Sequence, residues 1–153
     1  MPGASDKPSR TIGCKPIGYV HCATRDVPRH WTVSDLEGEL EIRPAYEKGL
    51  LDIAAGQRIL VLFHFDRSVP FTPHHLQQKK RHKNEVKGVF SICSSIRPNP
   101  IGVSVLEVLA VEGRFIRVRG LDMFDGTPIL DIKPHTEDHA SRGRRPNLED
   151  MAR

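Results

Sequence analysis

A chain of 153 residues with a formal charge of +4 has the size of one domain that can bury a core without metal or disulfide staples, and its mild basicity favours an anionic partner without defining it. Its three cysteines, Cys14, Cys22 and Cys93, are odd in number and widely spaced, which argues against a disulfide framework or a metal centre and for a reducing, cytoplasmic setting. No secretory leader and no apolar run long enough to cross a bilayer is visible, so a soluble protein is expected.

Residues 1–14 are polar and carry Pro2, Gly3, Pro8 and Gly13, which predicts a flexible N-terminal segment. Residues 15–134 read as the folded domain. Residues 135–153 are charged and poor in apolar side chains, and read as a polar tail that is disordered or docked on a partner subunit. Within the domain, Lys15–Ala23 is a first strand. The loop after it carries Arg25, Arg29 and the only tryptophan, Trp31, which either covers a pocket or folds back onto the core.

Glu39–Arg43 is a short strand ended by Pro44. Ala45–Ala55 has Tyr46, Leu50 and Ile53 at helical spacing and Gly56 as a stop, which predicts a helix of about three turns. Ile59-Leu60-Val61-Leu62-Phe63 is too continuously apolar for a half-exposed strand and is expected to be central, with His64, Phe65, Asp66, Arg67 and Ser68 forming a polar cluster at its end. Val69–Lys87 shows no apolar face and predicts a long loop. Its basic run, Lys79, Lys80, Arg81 and Lys83, either grips a phosphate backbone or is a solvated surface.

Val86–Ile92 is the next strand, and it leads into Ser94-Ser95-Ile96-Arg97-Pro98-Asn99-Pro100-Ile101-Gly102. The prolines fix their own φ angles and push Arg97 and Asn99 towards extended geometry, so the segment is a stiff knuckle. It either presents a site or serves as a structural turn. Gly102–Val111 alternates, with Val103, Val105 and Leu109 assigned to the buried face and Ser104 and Glu107 to the polar one. Glu112-Gly113 turns into Arg114–Leu121, and Asp122–Pro128 turns, with Asp-Gly chemistry, into a final strand Ile129–Lys133. The sum is a mainly β protein: a small antiparallel barrel of roughly seven strands with one short helix and a long basic loop. No Gly-rich loop follows a strand, so a Rossmann cofactor site is not supported.

The densest set of reactive groups is Asp122, Asp125 and Asp131 with Thr127 and Lys133. Facing Arg97 and Asn99 across a pocket, these carboxylates would bind a cationic or hydroxyl-rich ligand, or one of them would act as a base. Turn chemistry alone accounts for Asp125, and Asp131 with Lys133 can equally form a surface pair. Cys93 has no histidine or acid fixed beside it and reads as a buried, inert thiol.

Phe90-x-x-x-Ser94-x-x-Arg97-Pro98-Asn99-Pro100-Ile101-Gly102-x-Ser104, followed by Leu121-Asp122-x-x-Asp125-Gly126-Thr127-Pro128-x-x-Asp131-Ile132-Lys133-Pro134, resembles the TsaA-like family. Its characterised bacterial members are tRNA N6-threonylcarbamoyladenosine methyltransferases of the TrmO type. The match runs from about Ile17 to Pro134 and includes Ile17-Gly18 and Val27-Pro28-Arg29. The resemblance implies a small β-barrel that binds S-adenosyl-L-methionine (SAM) near a homodimer interface and methylates N6 of the modified adenosine beside a tRNA anticodon.

Carried over by position, the implied cofactor contacts are Trp31, Thr32, Val33, Arg67, Ser68, Cys93, Val103, Leu121, Asp122, Met123 and Phe124. Arg97 and Asn99 of the knuckle are placed with them. Asp125 or His64 is the expected base, and Lys79, Lys80, Arg81 and Lys83 are the expected RNA contacts. The chain departs from the family in having Cys93 where many relatives have arginine and Trp31-Thr32 in place of a Pro-Gly-like pair. It also reads as a short form without the additional C-terminal domain of longer members. The alternative reading is a SAM-binding or RNA-binding protein of the same fold without methyl transfer; methylation of a small molecule or a protein is a third.

Overall fold

The computed structural model describes residues 10–80 and 83–135, so the expectations for 1–9, for Arg81 and for 136–153 lie outside the described residues. Its strands are Gly18–His21 (β1), Glu37–Ile42 (β2), Arg58–His64 (β3), Gln77–Lys79 (β4), Val86–Gly88 (β5), Ile101–Glu112 (β6), Phe115–Arg119 (β7) and Pro128–Pro134 (β8). Antiparallel pairing in the order β1-β2-β7-β6-β3-β8, with β8 returning to β1, closes a barrel, and β4 and β5 form a separate hairpin. The chain is therefore the expected mainly β antiparallel barrel.

β3 is central, as its apolar run predicts: β6 pairs with one edge and β8 with the other. Ile59, Val61 and Phe63 point into the barrel, and Leu60 and Leu62 are half-buried on the outside. With Leu40, Leu106, Ile116, Val118 and Ile129, the inward Ile59, Val61 and Phe63 form one continuous core. β6 serves two neighbours. Its first half pairs with β3 and its second with β7, and the register shift between Val108 and Ala110 supplies the bend between them.

For Val103, Ser104 and Val105 the faces of β6 are the reverse of those expected, while Glu107 lies on the outer side as expected. Gly102, Ser104, Leu106 and Val108 are buried, whereas Val103 is exposed and Val105 and Glu107 lie half-buried on the outer side. Valines occupy both faces of this strand, so alternation alone did not fix its phase; Glu107, two residues from Val105, marks the outer one.

Other expectations need correction. The segment after β2 is a 3₁₀ helix, Pro44–Leu50, rather than three α turns, with only Leu50 buried and Gly49 inside its last turn. The basic loop is not featureless: it contains the 3₁₀ turn Pro73–Leu76, capped by Thr72 and His75, and the β4–β5 hairpin. The strand expected over Val86–Ile92 stops at Gly88 and continues as the 3₁₀ turn Val89–Ser91. Cys93 is exposed, not buried. Asp131 and Lys133 form the surface pair, at 2.9 Å. No helix among the described residues is long and apolar enough to cross a membrane.

Because each barrel strand runs opposite to its neighbours, the connections β1–β2 (22–36), β3–β6 (65–100) and β7–β8 (120–127) all leave from the same end of the barrel. That end is the mouth. The opposite end carries the 43–57 segment and the tight β6–β7 turn at Gly113. A hollow of about 470 Å³ opens there between Gly49–Ile53 and Ile132–His135, away from all the long mouth loops.

Candidate functional site

Buried residues of the late loop set the floor of the mouth. Leu121 and Met123 point inward and are almost inaccessible, and their spacing leaves Asp122 between them. Its carboxylate ties segments together: Ser104 Oγ of β6 donates to one oxygen at 2.5 Å and the backbone N–H of Trp31 donates to the other at 2.9 Å. Ser34 Oγ donates to the Leu121 carbonyl, so the 3₁₀ turn Trp31–Val33 is held to the late loop at both ends. Burial pushes the Asp122 carboxyl above the ordinary carboxylate range, and the bonds from Ser104 and Trp31 oppose that shift. Ser104 is buried although alternation assigns it to the polar face; a serine flanked by valines within an apolar strand is the signal in the sequence.

The end of β3 supplies the adjoining wall. Phe63 and Phe65 meet edge to face with ring centroids 4.9 Å apart. Phe65 N–H donates to the Pro100 carbonyl at 2.8 Å, and Ser68 Oγ donates to the Ser95 carbonyl at 3.0 Å, which stitches this wall to the knuckle. Between the walls lies a cavity of about 100 Å³ lined by Phe63, His64, Phe65, Asp66, Arg67, Ser68, Ser95, Asp122, Met123, Phe124 and Thr127. It unites the end of β3, the first limb of the knuckle and the late loop.

Several expected site residues lie elsewhere. The Arg97 guanidinium turns back on its own loop and donates to the carbonyls of Ile92 and Ser94 at 3.0 and 3.1 Å. Asn99 is exposed, and its carbonyl accepts the turn bond from Ile101 N–H. Neither lines the cavity, nor do Cys93 and Val103. Trp31 reaches Asp122 only through its backbone; its ring lies 5.4 Å from that of His30, and Thr32 and Val33 are exposed.

The two proposed bases are separated. His64 lines the cavity, whereas the Asp125 carboxylate accepts the Cys22 N–H at 2.9 Å and stands 3.9 Å from His21 Nδ1. Asp125 faces a second, open hollow of about 440 Å³, lined by Cys22, Ala23, Thr24, Arg25, Arg67, Phe124 and Asp125. Arg67 and Phe124 form the partition between the hollows. Lys79, Lys80 and Lys83 are exposed on and beside the β4–β5 hairpin, which Gln78 Nε2 fastens to the Ile96 carbonyl at 2.8 Å.

Comparison with known proteins sets this mouth in a family. A profile of the tRNA-methyltransferase O N-terminal domain matches residues 18–140. A probable S-adenosyl-L-methionine-binding protein of Pyrococcus abyssi is 37% identical over 129 residues, covering 79% of this chain and 66% of that protein. A tRNA (adenine(37)-N6)-methyltransferase of Mus musculus is 33% identical over 135 residues, covering 83% of this chain but 31% of the mouse protein. The crystal structure of TrmO from Pseudomonas aeruginosa superposes with a TM-score of 0.68 at 27% identity, covering 92% of this chain and 63% of that one. The chain thus spans under two thirds of the length of each of these relatives. Profile, sequence relatives and barrel agree, and the chain belongs to the family of the tRNA-methyltransferase O N-terminal domain.

Proposed function

We propose that the mouth binds SAM and that the protein, as a cytoplasmic homodimer, transfers the methyl group to N6 of threonylcarbamoyladenosine in tRNA. The observation that carries this reading is the cavity itself: an apolar recess walled by Phe63, Phe65 and Met123, with the fixed carboxyl of Asp122 at its edge. Those residues suit a purine face together with a cationic centre. The names of the Pyrococcus and mouse relatives point the same way. When bound, SAM supplies an electrophilic methyl group that needs no metal. The chain's own part is to hold the acceptor in line and take its N6 proton, a role we give to the imidazole of His64. Lys79, Lys80 and Lys83 would hold RNA phosphates.

The direct test is transfer of labelled methyl from SAM to tRNA with and without the threonylcarbamoyl group. Label in the modified tRNA alone is expected, and His64→Gln should lower kcat about 100-fold with SAM affinity retained. Tight SAM binding with no transfer to any RNA would instead favour the binding-protein reading.

A cavity of about 100 Å³ is small beside the roughly 300–1,000 Å³ usual for a small-molecule site. We therefore assign its completion to a second copy, docked against the outer face of β6 at Ile101 and Val103, which are 42% and 47% exposed. Val103→Glu should shift sedimentation towards monomer and weaken SAM binding. An intact dimer in that variant would remove this face from the interface.

A further inference from the structure

We propose that Arg25 and Arg67 form an anion-accepting subsite in the open hollow beside the cavity, and that it receives an anionic group of the methyl acceptor. This deepens the methyltransferase reading and rests on it for the identity of the acceptor. The hollow, at about 440 Å³, is large enough for a nucleobase substituent or a nucleotide phosphate. Arg67 is already set in place: its Nη2 donates to the Asp125 carbonyl at 2.8 Å, and its guanidinium lies 5.3 Å from the centroid of the Phe124 ring. A guanidinium offers about five N–H donors, and this anchoring uses one of them. Among the described residues, neither Arg25 nor Arg67 is paired with a carboxylate.

The acid of the same hollow, Asp125, has one oxygen held by Cys22 N–H and stands close to His21, so it is engaged by the β1 end rather than by the arginines. Two fork-shaped cations lining one hollow, one of them stacked on the Phe124 ring at the border with the cavity, are suited to a carboxylate or a phosphate. Since Arg67 and Phe124 border both hollows, an acceptor reaching the Asp122 cavity over that partition would lay its anionic group on Arg25.

The anion has two possible sources, a carboxylate carried by the modified base or a phosphate of the RNA backbone. Equilibrium binding of tRNA with and without the threonylcarbamoyl group, to wild type and to Arg25→Gln across a salt series, separates them. A roughly tenfold loss confined to the modified tRNA identifies the carboxylate. An equal loss for both tRNAs, with the salt slope reduced by about one, identifies the phosphate. Either result supports the subsite, and Arg25→Lys should fall between wild type and Arg25→Gln. Arg25 is exposed, so melting temperature and SAM affinity should stay unchanged in both variants. Unaltered binding of both tRNAs to Arg25→Gln overturns the subsite even if wild type transfers methyl. Weakened binding without any transfer by wild type leaves the subsite standing and removes the enzyme.

Discussion

Asp122→Ala is expected to lose about 3 kcal/mol of stability, and SAM affinity more than tenfold, while Asp122→Asn keeps most of the stability and loses much of the affinity. Alanine leaves Ser104 Oγ, which is fully buried, without its acceptor and frees the Trp31 N–H that fixes the early turn. Hydrogen bonds to a charged group contribute about 1.5–3 kcal/mol each, so breaking this pair is costly. Asparagine has the same shape: its carbonyl can accept from Trp31, and its amide can donate to Ser104 once the hydroxyl rotates. What it removes is the charge.

The pH dependence follows from the direction of the Asp122 shift. Desolvation raises its folded-state pKa above the ordinary value of 3.8, so the folded protein binds the Asp122 proton more readily than the unfolded chain does. The stability this confers is fully present below the unfolded-state value and is lost as pH rises through the folded one. Urea melts at stepped pH should therefore show wild type losing stability relative to Asp122→Asn across that window, then levelling. SAM affinity in wild type should run the opposite way, rising as the carboxyl ionises. A pH-independent difference, or an Asp122→Ala variant as stable and as tight-binding as wild type, would remove Asp122 from its place at the site.

How much of this was legible before folding depends on the range of the interaction. β3 announced itself through five consecutive apolar residues, and the Asp125-Gly126 turn through local chemistry; Gly126 indeed sits at φ +81°. The gathering of the long loops at one mouth follows from barrel closure, and no local pattern encodes it. The knuckle shows the limit most clearly. Its stiffness was readable, but Arg97 was expected to face a ligand and instead serves its own loop. Pro98 and Pro100 contribute no N–H, so the carbonyls of Ile92 and Ser94 find their donors in a side chain. Asp125 holds a contact of the same kind: its carboxylate accepts the N–H of Cys22, 103 residues away, which sequence proximity hides. Arg25 stands out along the chain only as a loop arginine, because nothing in its sequence neighbourhood points to Arg67, with which it lines one hollow.

Gly102→Ala is the second substitution expected to have a large effect, about 3 kcal/mol of stability with a parallel loss of SAM binding. A Cβ at this position would collide with the ring of Phe63 on the neighbouring strand. Gly102 cannot retreat, because its backbone is held in register opposite Phe63 and Pro100, two residues before it, accepts from Phe65 N–H. The Phe63 ring cannot press deeper into the barrel either, since it is 3% exposed within the packed core and set edge-on against Phe65. The space left to the ring is the cavity that holds Asp122. Shortening the ring should therefore relieve the clash: Phe63→Leu costs stability alone but should recover part of the loss in the presence of Gly102→Ala. A double-mutant cycle should give a coupling of about 1 kcal/mol or more, since the residues are in contact. Additive losses would show that Gly102 matters for its backbone alone, and that the ring does not bound the cavity from this side.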